Sequence, residues 1–119
     1  MKPVFMAITL AVFCASSFSQ GYITPLGQGI EVLKIHGHRD GGITVWVDSS
    51  SVQNPDNCGG VDRLHIPSNL QGYDTMVTLV TTAFTANKKI GFWSSGCDNI
   101  PFWGSVRTYP IIKDVWLTN

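Results

Sequence analysis

The sequence predicts a small α+β domain in which short strands outnumber helices. Several short apolar segments are separated by turn residues, a single stretch has helical spacing, and two cysteines are placed to form a disulfide. The chain has 119 residues, of which 44% are hydrophobic and 13% charged. This composition is typical of one globular domain and excludes a disordered chain.

The first 19 residues have the pattern of a secretory signal peptide. Lys2 precedes an apolar run from Val4 to Phe13, and Ser17-Phe18-Ser19 has the small-x-small form that signal peptidase accepts. The run is shorter than the roughly 20 apolar residues of a transmembrane helix. We therefore expect cleavage near Ser19 and a secreted or periplasmic mature domain over residues 20–119, with no membrane span.

The charge balance argues against two classes of partner. Loss of Lys2 with the signal peptide leaves seven basic against eight acidic residues, a net charge of −1. Nucleic-acid binding depends on neutralising phosphates, and binding to anionic membranes depends on basic clusters. We therefore expect neither nucleic acid nor an anionic membrane surface as a partner.

Cysteine usage predicts one disulfide. Removal of the signal peptide takes Cys14 away and leaves Cys58 and Cys97 in an oxidising compartment. The alternatives are two free thiols or a metal-binding pair, and no CxxC spacing supports the metal.

The first half of the mature chain is predicted to begin with an irregular arm over 20–28. A strand over 29–36 follows, with a bulge where its alternation slips. The turn residues Asp40-Gly41-Gly42 then join it in a hairpin to a clean alternating strand over 43–47.

The middle of the chain is predicted to hold a loop over 49–60, a third strand over 61–66 ended by Pro67, and a helix over 73–86. The helix is indicated by apolar residues at i, i+3, i+4 and i+7 from Tyr73, although its five threonines are poor helix formers.

The last part is predicted to form a fourth strand over 90–94, an aromatic loop over 98–110 and a closing strand over 111–117. Five strands with one helix between the third and fourth fit a small OB-like β-barrel with one disulfide.

The segment Asn54-Pro55-Asp56-Asn57-Cys58, the helix, the segment Lys89-Ile90-Gly91-Phe92 with Gly96-Cys97, and a final strand over 112–117 resemble small exported proteobacterial proteins of unknown function. The layout also resembles the B subunits of pentameric bacterial toxins. That resemblance implies an OB fold, a ring of identical subunits and recognition of cell-surface glycans. It assigns no glycan-contacting residue to this chain.

Three tryptophans share one parity. Trp46, Trp93 and Trp116 each point opposite the aliphatic residues of their strand, so they face outward if the aliphatics fill the core. Three interpretations stay open: the helix and loops cover this face, the face forms a subunit interface, or the indoles form a ligand platform.

The aromatic loop is a second candidate for ligand binding. It combines Asn99, Phe102, Trp103, Arg107 and Tyr109, and such residues on a loop could contact a sugar carboxylate by hydrogen bonds and stacking. The alternative is that its aromatic residues cap one end of the barrel.

Metal binding and catalysis have little support. His36, His38 and Asp40 are potential ligands, but they coincide with a hairpin turn, and the position of His65 relative to them is not given by the sequence. No nucleophile motif such as GxSxG is present. We expect no metal, no cofactor and no catalytic residue.

The sequence therefore favours an exported, non-catalytic binding domain that recognises a glycan or cell-surface receptor, with self-association into a toxin-B-subunit-like ring. The alternative is a monomeric periplasmic module that binds or inhibits another protein. An enzyme is the third interpretation.

Overall fold

A computed structural model describes residues 21–39, 41–100 and 107–119. The predicted signal peptide, residues 1–19, lies outside the described residues. The described part contains six strands and one α-helix, in the order β1 (Gly21–Tyr22), β2 (Lys34–Gly37), β3 (Ile43–Trp46), β4 (Arg63–Ile66), α1 (Tyr73–Thr85), β5 (Lys89–Asp98) and β6 (Tyr109–Thr118).

The strands form one open sheet in the order β1-β5-β6-β4-β3-β2. All neighbours are antiparallel except β4 and β6, which are parallel. The five-stranded barrel predicted from the sequence is not confirmed. The strand expected over 29–36 is interrupted, because only Ile30 pairs with Ile90 of β5 while β2 begins at Lys34 and pairs with β3.

The sequence did not predict β1. Gly21 and Tyr22 pair with Ser94 and Trp93 of β5, within the segment expected to be an irregular arm. Beyond β1, the amide of Phe92 donates to the Thr24 hydroxyl at 3.1 Å. The segment after the expected cleavage position is therefore part of the sheet.

The predicted hairpin of β2 and β3 and the predicted helix are confirmed. The core lies between α1 and one face of the sheet, where side chains of the helix meet aliphatic side chains of the strands. Its most buried members are Ile23, Val45, Leu64, Ile66, Val80, Ile90, Phe92 and Ile112, each 0% exposed.

Three of the five threonines of α1 fit the helix because their hydroxyls bond to the helix backbone. The hydroxyls of Thr78, Thr82 and Thr85 each donate to the carbonyl four residues earlier, at 2.8 to 2.9 Å. The apolar face, with Met76 and Val80, is left to pack on the sheet.

The predicted disulfide is confirmed, with Cys58 and Cys97 joined at Sγ–Sγ 2.03 Å. The loop that carries Cys58 is further held by Asn54, whose side chain accepts from the amide of Cys58 and donates to its carbonyl. Asp56 accepts from the amide of Gly96 at 3.0 Å. The β3–β4 loop is thus fixed against the C-terminal end of β5.

No helix in the described part of the chain is both long and apolar enough to cross a membrane.

A short 3₁₀ turn, Ser49–Ser51, follows β3 and is capped by Asp48. The amide and hydroxyl of Ser50 both donate to the Asp48 carboxylate, which lowers the pKa of that group below its usual value.

Candidate functional site

The outer face of the sheet carries the three tryptophans singled out by the sequence. Trp46, Trp93 and Trp116 are half-buried and alternate along their strands with core residues such as Val45 and Phe92. The helix packs on the opposite face, so it does not cover them. The N-terminal segment covers part of this face instead, since Trp116 Nε1 donates to the carbonyl of Gln28 at 2.9 Å.

Trp116 lies flat against the sheet because its neighbour across the strands is a glycine. Gly91 of β5 pairs with Trp116 of β6, and a Cβ added to Gly91 would overlap Cε2 and Nε1 of the indole. The ring of Tyr22 meets Trp116 edge-on, with centroids 6.2 Å apart and planes at 67°.

Trp93 lies against a second glycine. A Cβ on Gly21 of β1 would overlap Nε1 of Trp93, so this indole leans over the edge strand. The register places Tyr22, Trp93 and Asp114 side by side on β1, β5 and β6. Directly opposed residues in a sheet have Cβ atoms roughly 5 Å apart, so Trp93 is an immediate neighbour of both Tyr22 and Asp114.

A shallow, open pocket of about 350 Å³ lies at these side chains, and we name it the aromatic pocket. It is lined by Tyr22, Leu26, Trp93, Asp114 and Trp116. Leu26 is 73% exposed, so its apolar side chain is accessible from solvent at this pocket. The described lining residues thus combine three aromatic rings and one leucine with a single carboxylate.

Trp46 has different surroundings, although it shares the outer face. The register places Lys34 and Arg63 on either side of it, and the two cationic groups lie 4.6 and 4.2 Å from the centroid of its ring. We name Lys34, Trp46 and Arg63 the cationic row. Cation–π contacts already occupy its indole.

The three histidines gather around one buried hydroxyl. Thr44, 0% exposed, is bonded through its Oγ1 to His38 Nε2 at 2.7 Å and to His65 Nδ1 at 3.3 Å. His36 stacks on His38 with centroids 4.6 Å apart. The sequence did not place His65 in this group. Within residues 21–39, 41–100 and 107–119, no group of three His, Cys, Asp or Glu could hold a metal ion.

The residues predicted on the aromatic loop are only partly described. Phe102, Trp103 and the turn residue Asp40 lie outside the described residues. Asn99 and Arg107 are exposed and lie together, since Asn99 Nδ2 donates to the Arg107 carbonyl at 3.2 Å.

Tyr109, also predicted to bind ligand, is only 2% exposed. Its ring packs against Gly60 and lies 5.3 Å from the Arg63 guanidinium carbon. Its position is therefore that of a core residue.

A second, more polar pocket of about 410 Å³ lies near the start of the aromatic loop. Asn99 lines it together with His65, Ser68, Asn69 and Asp98. The structure thus separates the predicted residues into two places, with the indoles of β5 and β6 in one and Asn99 in the other.

Sequence reasoning missed three members of the aromatic pocket: Tyr22, Leu26 and Asp114. Strand parity could have found Asp114, because it lies two residues before Trp116 and therefore on the same face. Tyr22 and Leu26 carry no such signal, since their segment has no alternation.

The comparisons with known proteins give no relative. No protein-family model, curated protein or solved structure matches this chain. The function proposed below therefore rests on the geometry of the aromatic pocket.

Proposed function

We propose that this domain binds carbohydrate in the aromatic pocket. The observation that carries the proposal is the placement of Trp93 and Trp116, two indoles held against glycines on the outer face of β5 and β6. Sugar rings present C–H groups on one face, and these pack on the electron-rich face of an indole.

The remaining lining residues supply what a sugar ligand needs besides stacking. The Asp114 carboxylate can accept hydrogen bonds from sugar hydroxyls, and the Tyr22 hydroxyl can donate or accept them. Small-molecule sites combine apolar walls with a few polar groups and have volumes of roughly 300–1,000 Å³. At about 350 Å³ the aromatic pocket has room for one sugar unit.

The proposal includes an OB-like relation and export. If the two-residue β1 is left out and Ile30 and β2 are counted as one interrupted strand, five strands remain, with α1 between the third and fourth. Two backbone hydrogen bonds between Ile30 and Ile90, at 2.9 and 3.0 Å, join the segment before β2 to β5. They support a sheet that is partly closed, as in an OB-like barrel. Export is supported by the disulfide and by the signal-peptide pattern of residues 1–19.

Self-association into a toxin-B-subunit-like ring is the quaternary part of the proposal. β2 is last in the strand order, so one of its edges has no strand partner in the described chain. Leu33, next to β2, is 54% exposed. An edge strand flanked by an exposed leucine is a surface on which a second copy can add its own strand.

The alternative is a monomeric periplasmic module that binds another protein. Phe84 of α1 and Leu117 of β6 are exposed large apolar residues that lie outside the aromatic pocket, and they could contribute to such an interface. The native mass of the secreted protein separates the two cases. A mass of one chain removes the ring and leaves carbohydrate binding to be judged by the next experiment.

Carbohydrate binding is tested with a glycan array, followed by titration of the best glycan against ¹⁵N-labelled protein. We expect the indole N–H resonances of Trp93 and Trp116 to shift, and that of Trp46 to stay. Trp116→Ala should weaken binding about tenfold or more, as expected for a central stacking residue.

Trp46→Ala is the matched control, since it removes an indole of the same outer face that lies in the cationic row. It should keep glycan affinity. Absence of any glycan hit, or equal losses in the two variants, would refute carbohydrate binding at the aromatic pocket.

A further inference from the structure

Among its described residues the aromatic pocket contains one charged group, and that group is negative. Asp114 is exposed at its rim, and no described residue bonds to its carboxylate or forms an ion pair with it. None of the lining residues is Lys or Arg, and Lys113, its neighbour along the chain, does not line the pocket. The electrostatic character of the pocket is therefore that of an uncompensated carboxylate among π-systems.

Trp46, on the same face of the sheet, shows that an indole of this protein attracts cationic groups. Trp46 is flanked by Lys34 and Arg63, whose cationic groups lie within 5 Å of its ring centroid. In the described chain no cation lies over Trp93 or Trp116, although a carboxylate stands beside them. The described residues thus supply cations to Trp46 and none to the other two outer-face indoles.

We propose that the aromatic pocket recognises an organic ammonium group on its ligand. An ammonium placed there meets two attractions at once: the Asp114 carboxylate and the negative faces of the indoles. Quaternary and primary ammonium groups are held by aromatic residues in this way, and the carbon atoms next to the nitrogen pack on the rings.

For the carbohydrate case, which rests on the function proposed above, the ligand is an amino sugar with a free amine. Such a sugar combines an apolar ring face for stacking with a positive charge for Asp114. Sialylated and other anionic glycans would be repelled by the same carboxylate, so we expect them to be excluded.

The test uses two matched pairs of probes followed by indole resonances and calorimetry. Methyl glucosaminide is compared with methyl N-acetylglucosaminide, in which acetylation removes the charge. Choline is compared with 3,3-dimethylbutan-1-ol, in which carbon replaces nitrogen. The titrations are run near pH 6, where an amine with a pKa like that of an α-amino group, about 7.7–8.0, is protonated.

We expect the charged member of at least one pair to bind about 3-fold to 30-fold more tightly than its neutral partner, the range that cation–π contacts give. This preference should shrink between about 0.01 M and about 1 M salt, over which the Debye length falls from about 30 to about 3 Å. The salt series needs no variant, so it tests the charge even if a substitution impairs folding.

Asp114→Asn keeps the shape of the side chain and removes its charge, so it should abolish the preference. Asp98→Asn is the matched control, because Asp98 is also an exposed strand aspartate, at the end of β5, but lines the polar pocket. The preference should survive in that variant.

The outcomes separate the two proposals. Equal binding of both sugars at Trp93 and Trp116, with no preference for choline, would overturn the ammonium inference and leave carbohydrate binding intact. Binding of choline alone would support the ammonium inference and refute carbohydrate as the ligand. No shift with any probe would refute both.

Discussion

Trp46 on β3 and Trp116 on β6 occupy comparable positions, each on the outer face of the sheet and directly after a residue packed into the core. Their neighbours across the strands differ. Trp46 lies between Lys34 and Arg63, whereas Trp116 faces Gly91. Long cationic side chains hold the first indole, and an absent side chain lets the second lie down on the backbone.

This difference teaches that strand parity places a tryptophan but does not decide its use. Both residues satisfy the same outward alternation, so parity alone could not separate them. The residue paired across the ladder decides whether the ring is enclosed by the protein or lines a pocket. Variants that alter that pairing, or the disulfide that joins the two regions, therefore test the difference between the two indoles.

The largest effect on stability is expected from the disulfide. It connects the loop between β3 and β4, the strands of Trp46 and Arg63, to β5, which carries Trp93. Replacing Cys58 and Cys97 by serine together should lower the free energy of unfolding by about 4 kcal/mol, because the closed loop spans 39 residues. Denaturant unfolding of the oxidised parent and the double variant measures the difference. A loss below about 1 kcal/mol would mean that the hydrogen bonds of Asn54 and Asp56 alone fix the loop.

The second effect concerns the glycine under Trp116. Gly91→Ala should lower the free energy of unfolding by about 1–3 kcal/mol, since the new methyl group overlaps the indole and forces it off the backbone. The same variant should weaken any ligand of the aromatic pocket.

Gly37→Ala in β2 is the control for that experiment, because an added Cβ there meets nothing within 4 Å. Its stability should be unchanged or slightly raised, as alanine has the lower entropy cost. If the two alanine variants unfold at the same denaturant concentration, Trp116 does not depend on Gly91 for its position.

A smaller effect is expected in the cationic row. Arg63→Gln should cost about 0.5–1 kcal/mol of stability, the usual size of a half-exposed cation–π contact. Lys113→Gln on β6 serves as its control and should stay within about 0.5 kcal/mol, as expected for a surface substitution. Neither change should alter ligand affinity, and a loss of affinity in Arg63→Gln would move the binding surface to the cationic row.

The smallest effect is a difference in fluorescence quenching by ions of opposite charge. In variants that lack Trp103 and keep a single outer-face tryptophan, caesium should quench Trp93 or Trp116 about twofold better relative to iodide than it quenches Trp46. The carboxylate of Asp114 attracts the cation, whereas Lys34 and Arg63 attract the anion. Equal ratios would show that the local charges do not distinguish the two regions.

The sequence was sufficient for elements whose signals are local. The spacing from Tyr73 predicted the helix, the turn glycines predicted the hairpin, and the pair Cys58 and Cys97 predicted the disulfide, because each signal lies within a short segment or a count. Bounds were less accurate: β5 and β6 extend beyond the predicted strands, since bulges break the alternation that marks a strand.

The aromatic pocket could be predicted only in part. Trp93 and Trp116 followed from parity, but the pairing of Tyr22 with Trp93 joins residues far apart in sequence, and Gly21-Tyr22 is too short to show a pattern. The barrel failed for a related reason. The slip of alternation near Leu33 was interpreted as a bulge in one strand, whereas there the chain leaves β5 and begins to pair with β3.

The contact between Gly91 and Trp116 has a consequence for how this protein can diverge. Each residue is tolerated because of the other: a larger residue at 91 displaces the indole, and a small residue at 116 leaves Gly91 without a cover. Substitutions at the two positions should therefore be inherited together. A glycine opposite a tryptophan on adjacent strands would mark descendants that still possess the pocket, even after most other positions have changed.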